Sequence, residues 1–164
     1  MTEGIESKTV KIVKRSGEKS HPFGQDPFGK DNPMKDYFRF TSDLVSLRHR
    51  HPALRGEAIN GFHVHEGNRV MAYHRWLDNI GRDVVVVISL NESTYSSYEL
   101  GFPVEGNWLE VFNSDVYDHW VNPNVDGNAG NITVDGAPMH SLPFSCAITI
   151  PANSVLVFAL DGGD

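Results

Sequence analysis

The spacing of apolar residues changes once along the chain, near Gly56. Before that point, large apolar side chains recur every three or four residues, at Tyr37, Phe40, Leu44 and Leu47. This spacing places them on one face of an α-helix, which the pattern predicts between about residues 33 and 50. His51 precedes Pro52, and a residue before proline disfavours helical backbone angles, so the helix is expected to end there.

After Gly56 the pattern alternates between apolar and polar positions, which is typical of half-buried β-strands. The first two runs flank Glu66-Gly67-Asn68 and predict a hairpin. Short runs of this kind, separated by glycine, asparagine and proline turns, occur at residues 62–65, 69–76, 84–90, 95–100, 108–112, 132–134, 147–150 and 155–160. The predicted fold class is therefore mainly β, an antiparallel β-sandwich preceded by one α-helix.

The first part of the chain has a different character. Residues 1–31 are polar and interrupted by glycine and proline, with one short β-like run at residues 9–13. We therefore divide the sequence into an irregular N-terminal segment at 1–31, a helical segment at 32–55 and a β-sandwich domain at 56–164.

Length and charge exclude several classes of function. A chain of 164 residues is too short for a complete (β/α)₈ barrel, which needs roughly 200 residues or more. A net charge of −7 argues against nucleic acid or an anionic membrane as the partner. The start of the sequence has no secretory signal pattern, and the single cysteine, Cys146, has no partner for a disulfide. These features predict an intracellular protein, either cytoplasmic or plastid, and no membrane partner.

Two segments invite a metal interpretation. His63 and His65 alternate onto one face of a predicted strand, and His74 lies on the next strand, so three imidazoles could form a zinc site. No carboxylate or cysteine completes the ligand spacing, and a structural role for these histidines is favoured. Residues 126–131 resemble a calcium loop only faintly, because the closing glutamate is missing. We expect no metal and no cofactor.

The sequence carries little sign of catalytic chemistry. It has no nucleophile elbow, phosphate loop or Cys/His arrangement. Its carboxylates are not marked as the acid and nucleophile pair that glycoside chemistry requires, so no catalytic residue is predicted. The segment at 117–123 is the best candidate for binding, because aromatic faces pack against sugar rings and loops often carry function. Tyr117, Asp118 and Trp120 are the candidate carbohydrate-binding residues.

Four segments carry a resemblance to a known family. The helical segment matches an L-x-x-L-R-x-x-H-P-A-L run at residues 44–54, and Trp108 begins a W-x-E-V-x-N-S-D segment that ends at Asp115. The strands at 69–76 and 83–91, and the closing segment at 150–158, complete the pattern. In these segments the chain resembles the α-amylase superfamily, and most closely the 1,4-α-glucan branching enzymes. The resemblance covers roughly residues 35–160.

The resemblance implies a division of labour. The helix would be the last helix of a catalytic barrel, and the sandwich would be the C-terminal all-β domain that braces this barrel or extends the substrate groove. The family's catalytic carboxylates lie upstream of this helix, so none has a matching position here, and the chain alone is predicted to be inactive. Where the family often has Tyr-Gly-Gly, this chain has Tyr117-Asp118-His119, which indicates a divergent subgroup.

Two other functions fit the same residues. One is a free-standing carbohydrate-binding module, which glucan affinity of the isolated chain would favour. The other is the C-terminal domain of a different amylase-type hydrolase. In a full enzyme the apolar helix face would pack on the chain's own catalytic barrel, and an α-glucan is the implied ligand. In the isolated chain this face is expected to be covered by the chain's own sandwich, which would leave a monomer. A second copy of the chain could instead form a dimer through this exposed helix face.

Overall fold

The computed structural model describes residues 32–80, 82–118 and 122–162. Within these residues the chain forms one α-helix, α1 (Asn32–Arg50), two short 3₁₀ turns (Pro52–Arg55 and Ser114–Tyr117) and eight strands. The strands are β1 (Ile59–His65), β2 (Val70–Arg75), β3 (Val84–Ser89), β4 (Tyr95–Phe102), β5 (Gly106–Asn113), β6 (Asn131–Val134), β7 (Phe144–Ile150) and β8 (Val155–Leu160).

Two antiparallel sheets stack on each other. The larger sheet has six strands in the order β1-β2-β3-β8-β5-β6, and the smaller pairs β4 with β7. Every predicted strand is present, and β1, β4, β5 and β7 are each longer than the sequence pattern indicated. The mostly antiparallel β architecture with a single described helix confirms the predicted fold class.

The inner core lies between the two sheets. Val85 and Val87 of β3 point into it and are fully buried. Trp108 of β5 is also fully buried; its ring centroid lies 5.1 Å from that of Phe102 in β4, and its Nε1 donates to the carbonyl of Val104 at 3.1 Å. This aromatic contact joins the two sheets and satisfies the polar group that tryptophan brings inside.

An outer core covers the opposite face of the six-stranded sheet. Val84 and Val86 alternate with the inner valines of β3 and pack with Leu47 of α1 and Ala53 of the first 3₁₀ turn. Strand β3 is therefore apolar on both faces, because the smaller sheet covers one face and the helical segment the other. The fold has three layers: α1, the six-stranded sheet and the two-stranded sheet.

Some sequence predictions lie beyond the described residues. The β-like run at 9–13 and the irregular segment at 1–31 fall outside them. Within the described ranges, no helix has the length and apolar character needed to span a membrane.

Candidate functional site

Helix α1 is apolar on two opposite sides. Leu47 points into the outer core and is 3% exposed, whereas Phe38 and Val45 are 62% and 54% exposed. At 3.6 residues per turn, Met34, Phe38 and Val45 lie within about 40° of one another and roughly opposite to Leu47. We call the exposed set, Met34, Phe38 and Val45, the outer helix face. A helix that is apolar on both sides is normally covered on both.

The inner side of the helix is fixed to the sandwich by aromatic rings. The ring centroid of Phe40 lies 5.8 Å from the ring centroid of Phe112 in β5 and 5.5 Å from that of Tyr117 in the second 3₁₀ turn. The Tyr117 hydroxyl donates to Asp43 Oδ2 at 2.5 Å. Burial, followed by this hydrogen bond and the charge of Asp43, raises the pKa of Tyr117 well above its ordinary value. The phenol therefore stays protonated and remains a donor to α1.

A basic cleft lies beside the C-terminal end of α1. Arg50, His51 and Arg82 line a cavity of about 510 Å³ together with Leu109 and Ala159 of the six-stranded sheet. Burial lowers the pKa of His51, and the neighbouring charges of Arg50 and Arg82 lower it further. Asp161 also lines the cleft, which thus combines an apolar wall with two guanidinium groups and one carboxylate, in a chain whose net charge is −7.

The structure describes two of the three predicted carbohydrate-binding residues, Tyr117 and Asp118. Tyr117 is held between Phe40 and the stacked ring of Phe112, whose centroid is 5.8 Å away, so it anchors the start of the loop. Asp118 follows it and is exposed, with its amide donating to the carbonyl of Asp115. Trp120 lies outside the described residues. The glucan contact stays a prediction.

The W-x-E-V-x-N-S-D segment organises the loop that follows it. The Glu110 carboxylate accepts from Asn113 Nδ2 at 3.1 Å and from both the amide and the side chain of Asn128, at 3.0 and 2.6 Å. Asn113 Nδ2 also donates to the carbonyl of Asp126 at 2.8 Å. A Cβ on Gly127 would lie 2.7 Å from Asn113 Nδ2, so this approach depends on glycine. Sequence reasoning used these residues for the resemblance and missed their role in fixing the loop.

The three histidines considered for zinc are not brought together. His74 pairs with Asp83, Nε2 to Oδ2 at 2.8 Å, and stacks on Trp76. His63 instead contacts His140, a residue that the sequence did not single out. Across the described part of the chain, no group of three potential ligands is positioned for a metal ion.

Comparison with known proteins identifies the family. The sequence profile described as the alpha amylase C-terminal all-beta domain matches residues 62–161. The 1,4-alpha-glucan branching enzyme of Paraburkholderia xenovorans is 38% identical over 97 residues, which cover 58% of this chain and 12% of that protein. The corresponding enzyme of Thermosynechococcus vestitus is 32% identical over 135 residues, covering 79% and 17%.

Two further matches have lower sequence identity. The branching enzyme of Rhodococcus jostii is 26% identical over 162 residues, which cover 90% of this chain and 21% of that protein. A solved alpha-amylase from H.orenii shares 21% identity with a TM-score of 0.45, covering 79% of this chain and 21% of its own. The chain spans about one eighth to one fifth of the length of the branching enzymes it matches. The resemblance predicted from the motifs is confirmed, and the chain belongs to the family of the alpha amylase C-terminal all-beta domain.

Proposed function

We propose that this chain is the C-terminal part of a 1,4-α-glucan branching enzyme and acts together with a catalytic barrel. Residues 32–55 would supply the last barrel helix, and residues 56–164 the C-terminal sandwich. The repeated similarity to branching enzymes supports this assignment. Because the chain spans only a small share of those proteins, the residues that transfer the glucan are expected in the barrel.

The observation that carries the proposal is the outer helix face. Phe38 and Val45 remain more than half exposed although the opposite side of α1 is packed in the outer core. Covering an apolar side chain of this size is worth about 1.5–3 kcal/mol relative to full exposure. A barrel packed on this face would cover it while the sandwich holds the helix from behind. The proposed role of the sandwich is therefore to brace the barrel.

The basic cleft adds a polar element to the same proposal. Arg50 belongs to α1, and Arg82 precedes β3, so the cleft lies where the helix meets the sheet. Asp161 supplies one carboxylate to the cleft, so an acidic side chain on the barrel would complement the remaining positive charge of the two guanidinium groups. Such a pair would mainly fix the orientation of the two domains, since exposed ion pairs contribute only about 0–1 kcal/mol.

A hybrid enzyme tests the assignment. Residues 32–162 would replace the matched segment of the Thermosynechococcus vestitus enzyme, and branching of amylose would be measured by the shift of the iodine complex. We expect the hybrid to branch amylose, and we expect the isolated 164-residue chain to show no branching or release of reducing sugar above a heat-killed control. Activity of the isolated chain, or an inactive hybrid that is folded and monodisperse, would contradict the proposal.

We also propose that the loop after Tyr117 contacts glucan, with Asp118 and Trp120 as the contact residues and Tyr117 as their anchor. Retardation of the chain in an amylopectin gel measures this contact. We expect weak retardation that Trp120→Ala lowers by several-fold, since stacking on an aromatic ring supplies much of such binding. Phe144→Leu, on the opposite sheet, is the control. Strong retardation that survives Trp120→Ala would favour a free-standing binding module with another site.

A further inference from the structure

A two-residue turn carries a histidine in an unusual backbone conformation. Met139 and Leu142 exchange backbone hydrogen bonds of 3.0 and 2.9 Å, and the two residues between them, His140 and Ser141, have φ values of 51° and 63°. Turns with two successive positive φ values strongly favour asparagine and glycine. A residue other than glycine with positive φ has a strained backbone, which persists only where the surrounding structure holds it in place. We call residues 138–143 the His140 turn.

The turn is closed against two other elements through the His140 ring. The amide of Gly101 in β4 donates to His140 Nδ1 at 3.2 Å, and a Cβ on Gly101 would lie 2.4 Å from the carbonyl oxygen of Met139. The ring centroid of His140 lies 4.1 Å from that of His63 in β1. His63 Nε2 in turn lies 2.8 Å from the Tyr98 hydroxyl of β4. One imidazole therefore links the turn to both sheets.

The hydrogen bond from Gly101 determines the protonation state of His140. A backbone amide can only donate, so Nδ1 must be an acceptor, and the neutral ring carries its proton on Nε2. Protonation would place a second donor opposite the Gly101 amide. That hydrogen bond exists only while His140 is neutral.

The surroundings do not compensate a positive charge on either ring. Beside the ring pair lie His65 of β1 and Tyr98 of β4, and neither side chain is a carboxylate that could offset a positive charge. The carboxylates of Glu99 in β4 and Asp135 after β6 lie close to the thiol of Cys146. Burial of this thiol, together with these two charges, raises its pKa to about 12. Burial lowers the pKa of His140 below its ordinary 6.5, and burial together with the charges of His140 and His65 lowers that of His63.

We propose that the His140 turn is an acid-operated latch, closed over Gly101 and β1 while His140 and His63 are neutral and released when they take up protons. Released, residues 138–143 leave β4 and uncover the His63–Tyr98 pair, while the rest of both sheets stays folded. Because the pKa values of the closed state are lowered, the stabilisation from closure is complete above 6.5, the ordinary pKa of the open state. It is lost as the pH falls from there through the lowered values.

Amide hydrogen exchange of the full chain, followed by NMR between pH 7.5 and 5, tests the latch. For each pH unit between 6.5 and the closed-state pKa values, each titrating ring is expected to lower the protection factor of the Gly101 amide by up to about tenfold. The protection factors of Val85 and Val87 in the central sheet are expected to stay constant. If these amides lose protection together with Gly101, the transition is global acid unfolding and the latch proposal is wrong.

Matched variants identify the responsible ring. Asparagine suits positive φ, and its Oδ1 can accept from the Gly101 amide but cannot titrate, so H140N is expected to keep the turn closed and to abolish most of the pH response. H49N changes an exposed histidine on α1, on the other side of the six-stranded sheet, and is expected to leave the response of Gly101 intact. An unchanged response in H140N, or no response in the natural chain, would overturn the proposal.

Discussion

Replacing Leu47 with aspartate is expected to unfold most of the isolated chain. Leu47 is 3% exposed and packs with Val84 and Val86 on the outer side of the central sheet. Truncating such a leucine to alanine already costs about 2–5 kcal/mol, and aspartate adds the cost of burying an unpaired carboxylate. Domains of this size are stable by only about 5–15 kcal/mol.

Urea denaturation followed by circular dichroism measures this effect. Ser46→Asp is the matched control, since Ser46 is the neighbouring residue on α1 and is exposed. The control is expected to change the free energy of unfolding by no more than about 0.5 kcal/mol. Equal stability of the Leu47 and Ser46 variants would mean that α1 does not pack on the sandwich.

Substitutions on the outer helix face are expected to leave the isolated chain stable and to impair the hybrid enzyme. The double variant Phe38→Asp/Val45→Asp is expected to leave the stability of the isolated chain within about 1 kcal/mol, because both side chains are largely exposed. In the hybrid enzyme the same change would bury two carboxylates against the barrel. A buried charge without a partner costs on the order of 3–5 kcal/mol. We therefore expect the hybrid to lose more than nine tenths of its branching activity and to lose the stable contact between barrel and sandwich.

Sedimentation of the isolated chain separates barrel docking from self-association. If a second copy covers the outer helix face, the natural chain sediments as a dimer and the double variant as a monomer. If the face serves a barrel, both sediment as monomers and only the hybrid is impaired. A hybrid that tolerates the double variant as well as it tolerates Ser46→Asp would rule out the proposed docking surface.

The fold was largely predictable from the sequence because its two periodicities are unambiguous. The change from a spacing of three or four to a spacing of two occurs near Gly56, and the helix and strands fall on either side of it. The run of four valines at 84–87 identified the central strand. The strand order was not predictable, since β8 lies between β3 and β5 through contacts that local pattern does not encode.

The apolar spacing did not predict which residues of the helix are buried. The sequence placed Tyr37, Phe40, Leu44 and Leu47 on one buried face. In the structure Phe40 and Leu47 turn toward the sandwich, whereas Tyr37 is 68% exposed and Leu44 36%. A helix with apolar residues on opposite sides has no single stripe, so periodicity alone cannot assign each side to a partner.

The candidate sites were predictable only in part. Local spacing grouped His63 with His65 and His74. His65 does stack beside His63, with ring centroids 6.2 Å apart, but the nearer ring is that of His140 at 4.1 Å, which reaches His63 from a distant turn through the tertiary fold. The likeness of Glu110 and Asn113 to a family motif was visible in the sequence. Their hydrogen bonds to residues 126 and 128 were not, because the local sequence of residues 126–131 does not encode which distant side chains they contact.

The outer core has a consequence for how such a domain can be exchanged between proteins. The family match begins at residue 62, yet Leu47 and Ala53, which lie before it, cover the valines of β3. A gene rearrangement that moved only the matched segment would transfer a sheet with one apolar side bare to water, and the transplanted piece would tend to aggregate. We therefore expect the smallest segment that can be exchanged without exposing this side of the sheet to start at α1, so that the helix and the sandwich are transferred together.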